Sequence, residues 1–170
     1  EMCIRDRSED IESLAMLEKD NGDVYFVPAF SGLFSPHWDE TARGSLFGLT
    51  RFSNKSHLAR AVLESVAFQT YELLESMEKD LDTEFENLKV DGGMVANNLL
   101  MQFQSDLLDK SIQSQEINEI TALGVGVASY LYVMDLPLSS MKNYITSSKT
   151  WNPNMSNCLL YTSPSPRDIG

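Results

Sequence analysis

The alternation of apolar and polar positions divides the chain into short strand-like runs and longer helix-like ones. Residues 8–20, SEDIESLAMLEKD, set Ile11, Leu14, Ala15 and Leu17 among acids, which predicts a short amphipathic helix. Asn21-Gly22-Asp23 is a turn signal, and DVYFVPAF then reads as a buried strand that stops near Pro28. The long loop SGLFSPHWDETARG precedes a second strand candidate, SLFGLT. From about Lys55 to Asp80 the helical period is sustained, with Ser53 or Asn54 placed to cap it. The first half of this run is apolar nearly all round and predicts burial on several sides. The second half turns acidic around Leu73, Leu74 and Met77 and predicts a helix leaving the core. ENLKV predicts another buried strand, handing over directly to a helix that carries Val95, Leu99, Phe103 and Leu107, with Leu100 and Leu108 beside them. SIQSQ predicts a short strand. TALGVGVASYLYVM predicts a helix whose Ala122, Gly124, Gly126 and Ala128 permit close approach of a neighbour. After Pro137 the pattern fades. Strands alternating with long helices predict an α/β layered domain, and the pattern leaves open whether its sheet is parallel or mixed.

The two ends, EMCIRDR and CLLYTSPSPRDIG, carry no such periodicity and no signal-peptide pattern. Back-translating the start as GAG ATG TGT ATA AGA GAC AG and reading its reverse complement in the next frame gives Cys-Leu-Leu-Tyr-Thr-Ser, which is Cys158 to Ser163. Chance does not produce matched reverse complements. Residues 1–7 and 158–170 are therefore expected to be translated sequencing-library adapter, with residues 8–157 as the natural segment of a longer protein. Both cysteines then fall in adapter, so neither a disulfide nor a cysteine metal site is expected in the natural part. That composition fits a reducing, cytoplasmic setting.

Charge narrows the function classes. The net charge of −12 belongs to the central segment, because the charges of the two ends cancel. Such a chain is a poor general partner for nucleic acid or an anionic membrane, whose phosphates repel it. No apolar run approaches the ~20 residues that span a bilayer.

A local phosphate site built from main-chain groups remains compatible with this charge, and VDGGMVANN, residues 90–98, has the composition for one. A strand ending in Asp91-Gly92-Gly93 before a helix places unpaired N–H groups and the positive end of the helix dipole at one corner. Glycines let a ligand approach the backbone, and the Asn97 amide both donates and accepts. On these residues alone the pair serves a tight turn more often than a ligand. It is neither a Walker loop nor a complete G-x-G-x-x-G fingerprint. His37 and His57 lack ligand-spaced partners, and His57 at a helix start reads as a surface or capping residue. Asp39, Glu40 and Asp91 read as solvated loop acids. Phe34 and Trp38 either line a pocket or pack their loop on the domain. Ser31 lacks a nucleophile frame.

The segments VYFVPAFSGLFSPHWDETARGSLFGLTR, KSHLARAVLESVAFQT and LKVDGGMVANNLLMQFQSDLL together resemble the C-terminal domain of the FGGY carbohydrate kinases. One family signature fits throughout: Gly44-x-Leu46-x-Gly48-Leu49, seven residues, then His57-Leu58-x-x-Ala61-Val62-Leu63-Glu64. EITALGVGVAS is similar to the family's Thr-Ala-Leu-Gly helix start. The resemblance covers about residues 9–157 and favours the branch that phosphorylates glycerol. It implies an actin-like ATPase domain of ribonuclease H type, the second of two that close on ATP, Mg²⁺ and an acceptor. It assigns nucleotide contacts to Gly93 and Asn97, with Gly92 as the neighbouring turn residue, and an adenosine-side role to Thr121–Gly124. The phosphate loop, the acceptor pocket and the general base of the family lie upstream, so no catalytic residue and no metal ligand is assigned in this chain. The implied reaction is ATP + glycerol to ADP + sn-glycerol 3-phosphate, with the fragment inactive alone and homo-oligomerisation left open. The alternatives are an FGGY kinase of a pentulose or other polyol, and a non-catalytic actin-like ATP-binding module.

Overall fold

In the computed structural model the described residues are 10–115, 120–144 and 147–154. The axis of the fold is one long helix, α2 (Lys55–Leu81). It starts where the pattern places it, because Asn54 is extended and its Oδ1 accepts from the N–H groups of Ser56 (2.8 Å) and His57 (3.2 Å). The His57 ring returns the bond, Nδ1 accepting from the Asn54 N–H at 3.2 Å, so a histidine completes a reciprocal capping box. Asp82 ends the helix in the left-handed conformation, its N–H bonded to the Glu78 carbonyl. Ala59, Ala61, Leu63 and Ala67 are buried in the first half, and only Leu74 among apolar residues of the second half is. The emergence of the helix from the core is as the sequence indicates.

Around α2 pack the short helix α1 (Ile11–Ala15), the strand β1 (Tyr25–Val27) and the helix α3 (Asn98–Leu108). β1 pairs antiparallel with β2 (Ser45–Phe47) in a separate two-stranded ribbon. The main sheet has the order β3 (Asn87–Val90), β4 (Ser111–Gln115), β5 (Ser147–Trp151), with β3–β4 parallel and β4–β5 antiparallel. The crossover between β3 and β4 is α3, which lies between α2 and the sheet as a layered α/β domain requires. Leu63, Leu100, Met101, Leu108, Ile112 and Trp151 are core residues at this junction.

Several expectations need correction. Among residues 10–20 the first helix occupies only Ile11–Ala15, and Leu17 beyond it is left 71% exposed. β3 is a half-exposed edge strand rather than a buried one: Asn87 and Lys89 face solvent while Leu88 and Val90 face the core. The buried stripe of α3 runs through Leu100, Met101, Gln104, Ser105 and Leu108, with Leu99, Phe103 and Leu107 flanking it and Val95 before the helix begins. In α4 (Ile120–Val133) the two glycines meet no close neighbour among the described residues: a Cβ added at Gly124 or Gly126 has nothing within 4 Å. The strand β5 is missed by the pattern altogether.

Candidate functional site

The corner after β3 is built by conformation rather than by side chains. Gly92 has φ 95° and ψ 175°, a region that is essentially closed to residues with a Cβ. A 3₁₀ turn over Gly93–Ala96 follows, so the helix does not begin directly after the glycines as expected; it begins at Asn98. Among the described residues the space beyond Gly92 and Gly93 is open, a Cβ on either meeting nothing within 4 Å. The corner sits at the carboxyl end of the parallel β3–β4 pair, the edge at which open α/β sheets bind ligands.

Asn97 is the N-cap of α3. Its Oδ1 accepts from the Leu100 N–H at 2.9 Å, and its carbonyl accepts from the Met101 N–H at 3.1 Å. The Leu99 N–H is taken by the Glu12 carboxylate of α1, also at 2.9 Å. These helix N–H groups therefore do not stand ready for an anion, contrary to the expectation of unpaired donors at this end. The exposed main chain of the glycine corner and the Nδ2 of Asn97 are what the site offers.

The remaining candidates stay apart from this corner. His37 Nε2 lies 3.2 Å from Glu72 on the exposed side of α2. His57 caps α2 and lies against Gly22, where a Cβ would come within 2.7 Å of the ring. Asp39 takes the Thr41 hydroxyl (2.6 Å) and N–H (2.8 Å), which hold its carboxyl below the usual range. Phe34 and Trp38 are 69% and 75% exposed, so neither packs its loop on the domain in this chain. Among the described residues no cluster of three or more His, Cys, Asp or Glu could hold a metal. No helix of those residues is long and apolar enough to cross a membrane.

One charged group escaped the sequence reading. Glu64, the last position of the family signature, is buried, and its carboxylate accepts from Arg60 Nε (3.0 Å) and Asn21 Nδ2 (2.9 Å). Burial raises its pKa, and the bonds from Arg60 and Asn21 oppose that shift in part. Arg60 also donates to the Glu18 carbonyl at 3.0 Å, so the pair ties the 18–24 loop to α2. A charged pair four residues apart on an otherwise apolar helix is the signal that could have found it. The hollow beside it, lined by Arg60, Leu63, Glu64, Leu99, Leu100 and Phe103, measures about 10 Å³, room for about one water and far from enough for a nucleotide.

With an open glycine corner at the carboxyl edge of a mixed sheet, this chain belongs to the FGGY family of carbohydrate kinases, whose C-terminal domain matches residues 3–130. Its fold is the actin-like, ribonuclease H-like fold of those kinases. Among curated proteins it is 50% identical over 153 residues to a glycerol kinase of Methylobacterium radiotolerans, covering 89% of this chain and 30% of that protein. It is 52% identical over 151 residues to a glycerol kinase of Brucella anthropi, covering 88% and 30%. Among solved structures, Plasmodium falciparum glycerol kinase with ADP matches with a TM-score of 0.82 at 32% identity, over 92% of this chain and 32% of that one. A ligand-bound xylulose kinase of Lactobacillus acidophilus, at 24% identity and a TM-score of 0.76, covers 91% and 32% and shares the fold. The chain thus spans about 30% of the length of the curated relatives it matches.

Proposed function

We propose that this chain is the nucleotide-binding C-terminal part of a cytoplasmic kinase that transfers the γ-phosphoryl of ATP to glycerol, giving ADP and sn-glycerol 3-phosphate. The reading rests on one observation above the others: Gly92 holds a glycine-only conformation while no described residue fills the space beyond it and Gly93. Turns of this kind are common on protein surfaces; this one stands at the carboxyl edge of the parallel β3–β4 pair, where α/β sheets bind ligands. Uncovered, it lets the polyanion of a nucleotide come against the main chain without side-chain bulk. The roughly 50% identity to glycerol kinases favours glycerol as the acceptor.

In this reading Gly93 and Asn97 contact the nucleotide, and Gly92 gives the corner its shape. The natural segment is residues 8–157. ATP supplies the phosphoryl group; phosphoryl transfer depends on positioning and on neutralising charge. In this reading Mg²⁺ is held mainly by the part of the enzyme outside this chain. The acceptor pocket and general base belong there too. The chain alone is accordingly expected to show no glycerol-dependent ADP production.

The test pairs two variants of this chain in an ADP titration followed by NMR. A Cβ at Gly93 meets nothing, so Gly93→Val should keep the melting temperature and weaken ADP binding by obstructing the corner. Asn97→Asp should keep the α3 cap, since aspartate caps as well as asparagine, but set a carboxylate against the phosphates. Wild-type affinity in both variants would remove the assignment. Phosphotransfer to glycerol is then measured on the uninterrupted reading frame of the source DNA, with xylulose as the competing acceptor.

A further inference from the structure

The nucleotide corner has a neighbour that neither its motif nor the family assignment includes. Val90 pairs with Ser114 across β3–β4, and Ser114 pairs with Lys149 across β4–β5. The three residues form one row across the sheet, a single residue before the Asp91-Gly92-Gly93 corner. With strands about 4.8 Å apart, the Lys149 backbone lies about 10 Å from Val90. From there its Nζ donates to Oδ1 of Asn98, the first residue of α3 and the immediate neighbour of Asn97. The same ammonium stands 4.9 Å from the centroid of the Trp151 ring. Trp151 is buried, and its carbonyl accepts from the Ser105 hydroxyl of α3 at 3.2 Å, so the platform under the lysine is fixed.

The electrostatics of this end call for such a cation. The carboxylate of Glu12 occupies the Leu99 N–H at the start of α3, and the chain carries a net charge of −12. Both oppose a nucleotide polyphosphate. A lysine held by an aromatic face and an amide oxygen has already lost much of its rotamer freedom, so its charge is delivered at a defined place.

We propose that Lys149 is a positioning residue for the nucleotide: from β5 it fixes Asn98, and through it the Gly92–Asn97 corner, and it sets a positive charge where the phosphates of ADP would lie. This rests on the corner being the nucleotide site.

The experiment titrates this chain and its Lys149→Met and Lys149→Arg variants with ADP and with adenosine, by NMR at low salt, alongside thermal melting. Lys149→Met should raise the ADP dissociation constant about fivefold, the size expected of one solvent-screened charge pair. Its adenosine affinity and melting temperature should stay at wild-type values, and Lys149→Arg should restore ADP affinity to within about twofold of the wild type. Equal ADP affinity in wild type and Lys149→Met overturns the role of Lys149 and leaves the corner intact as a site. Parallel loss of ADP and adenosine affinity, or a loss that tracks a lower melting temperature and is not restored by arginine, shows a purely structural lysine and also overturns it. A wild-type chain with no ADP-dependent shifts overturns the nucleotide corner itself, and the role of Lys149 with it.

Discussion

Gly92 and Gly93 are adjacent and chemically identical, yet the structure asks different things of them. Gly92 needs its positive φ, so Gly92→Ala should cost about 1–3 kcal/mol in chemical denaturation even though the added methyl finds open space. Gly93 needs only to be small on the outside, and Gly93→Ala should change stability by less than about 0.5 kcal/mol. Gly48 is stricter than either: at φ +78° a Cβ would sit 1.7 Å from the Asp23 carbonyl oxygen. Gly48→Ala should therefore cost at least about 3 kcal/mol, readable as a lower denaturant midpoint. The sequence marks Gly44 and Gly48 as signature positions but does not distinguish them. The distinction is the approach of the Asp23 backbone, a contact between distant segments that no local pattern encodes. Glu64 makes the same point for charge. Its folded pKa is raised, so the folded state holds the proton more tightly than the unfolded chain. Its contribution is fullest below the unfolded value of about 4.5 and declines as pH rises through the folded pKa. Glu64→Gln removes that titration, so the stability difference between wild type and variant should shift against the wild type on going from pH 4.5 to pH 7. Glu64→Ala, which strands Arg60, should cost about 3 kcal/mol at neutral pH.

Elements were legible in proportion to their own local signals. α2 could be read almost to the residue because its period is long and Asn54 caps it. α3 could be read as a helix but not in its orientation: Val95, Leu99, Phe103 and Leu107 make a convincing stripe on paper, while tertiary packing turns Leu100, Gln104 and Leu108 inward. The 3₁₀ turn ahead of it was illegible, and so was the loss of the helix N–H groups expected to face the ligand, which go to Asn97 and to Glu12 of the distant α1. β5, the sequence SSKTW, has one large apolar residue and becomes a strand only because β4 has a free edge to pair with. The joint between α2 and β3 is held by Glu78, whose Oε1 accepts from the Phe85 N–H at 2.7 Å and from Lys110 Nζ at 3.0 Å. The Phe85 N–H first, and then Lys110, lower its pKa, so this support is present above the unfolded value of about 4.5 and is lost as pH falls through the lowered one. In Glu78→Gln, the protection factor for hydrogen exchange at the Phe85 amide should fall at neutral pH and no longer drop further on acidification.

At the scale of the whole molecule, the fold class and family were legible because the signature segments are long and stand in order. The mixed direction of the sheet was not, since it depends on a strand with no pattern of its own. The surface shows that folding is not all these residues are shaped for: Phe30, Phe34, Trp38 and Phe52 are between 69% and 89% exposed. A chain carrying so much uncovered aromatic area is expected to self-associate as its concentration rises, which sedimentation velocity over a dilution series would register. The two tryptophans then divide the labour of reporting. Trp38 stands in solvent and Trp151 lies under the Lys149 ammonium. Acrylamide should quench one emitter at once and spare the other, and the spared, blue-shifted light comes from directly beneath the lysine. The protein thus carries its own optical gauge: dimming of the protected component as ADP is added would signal an arrival at the corner, while the accessible component stays as an internal standard.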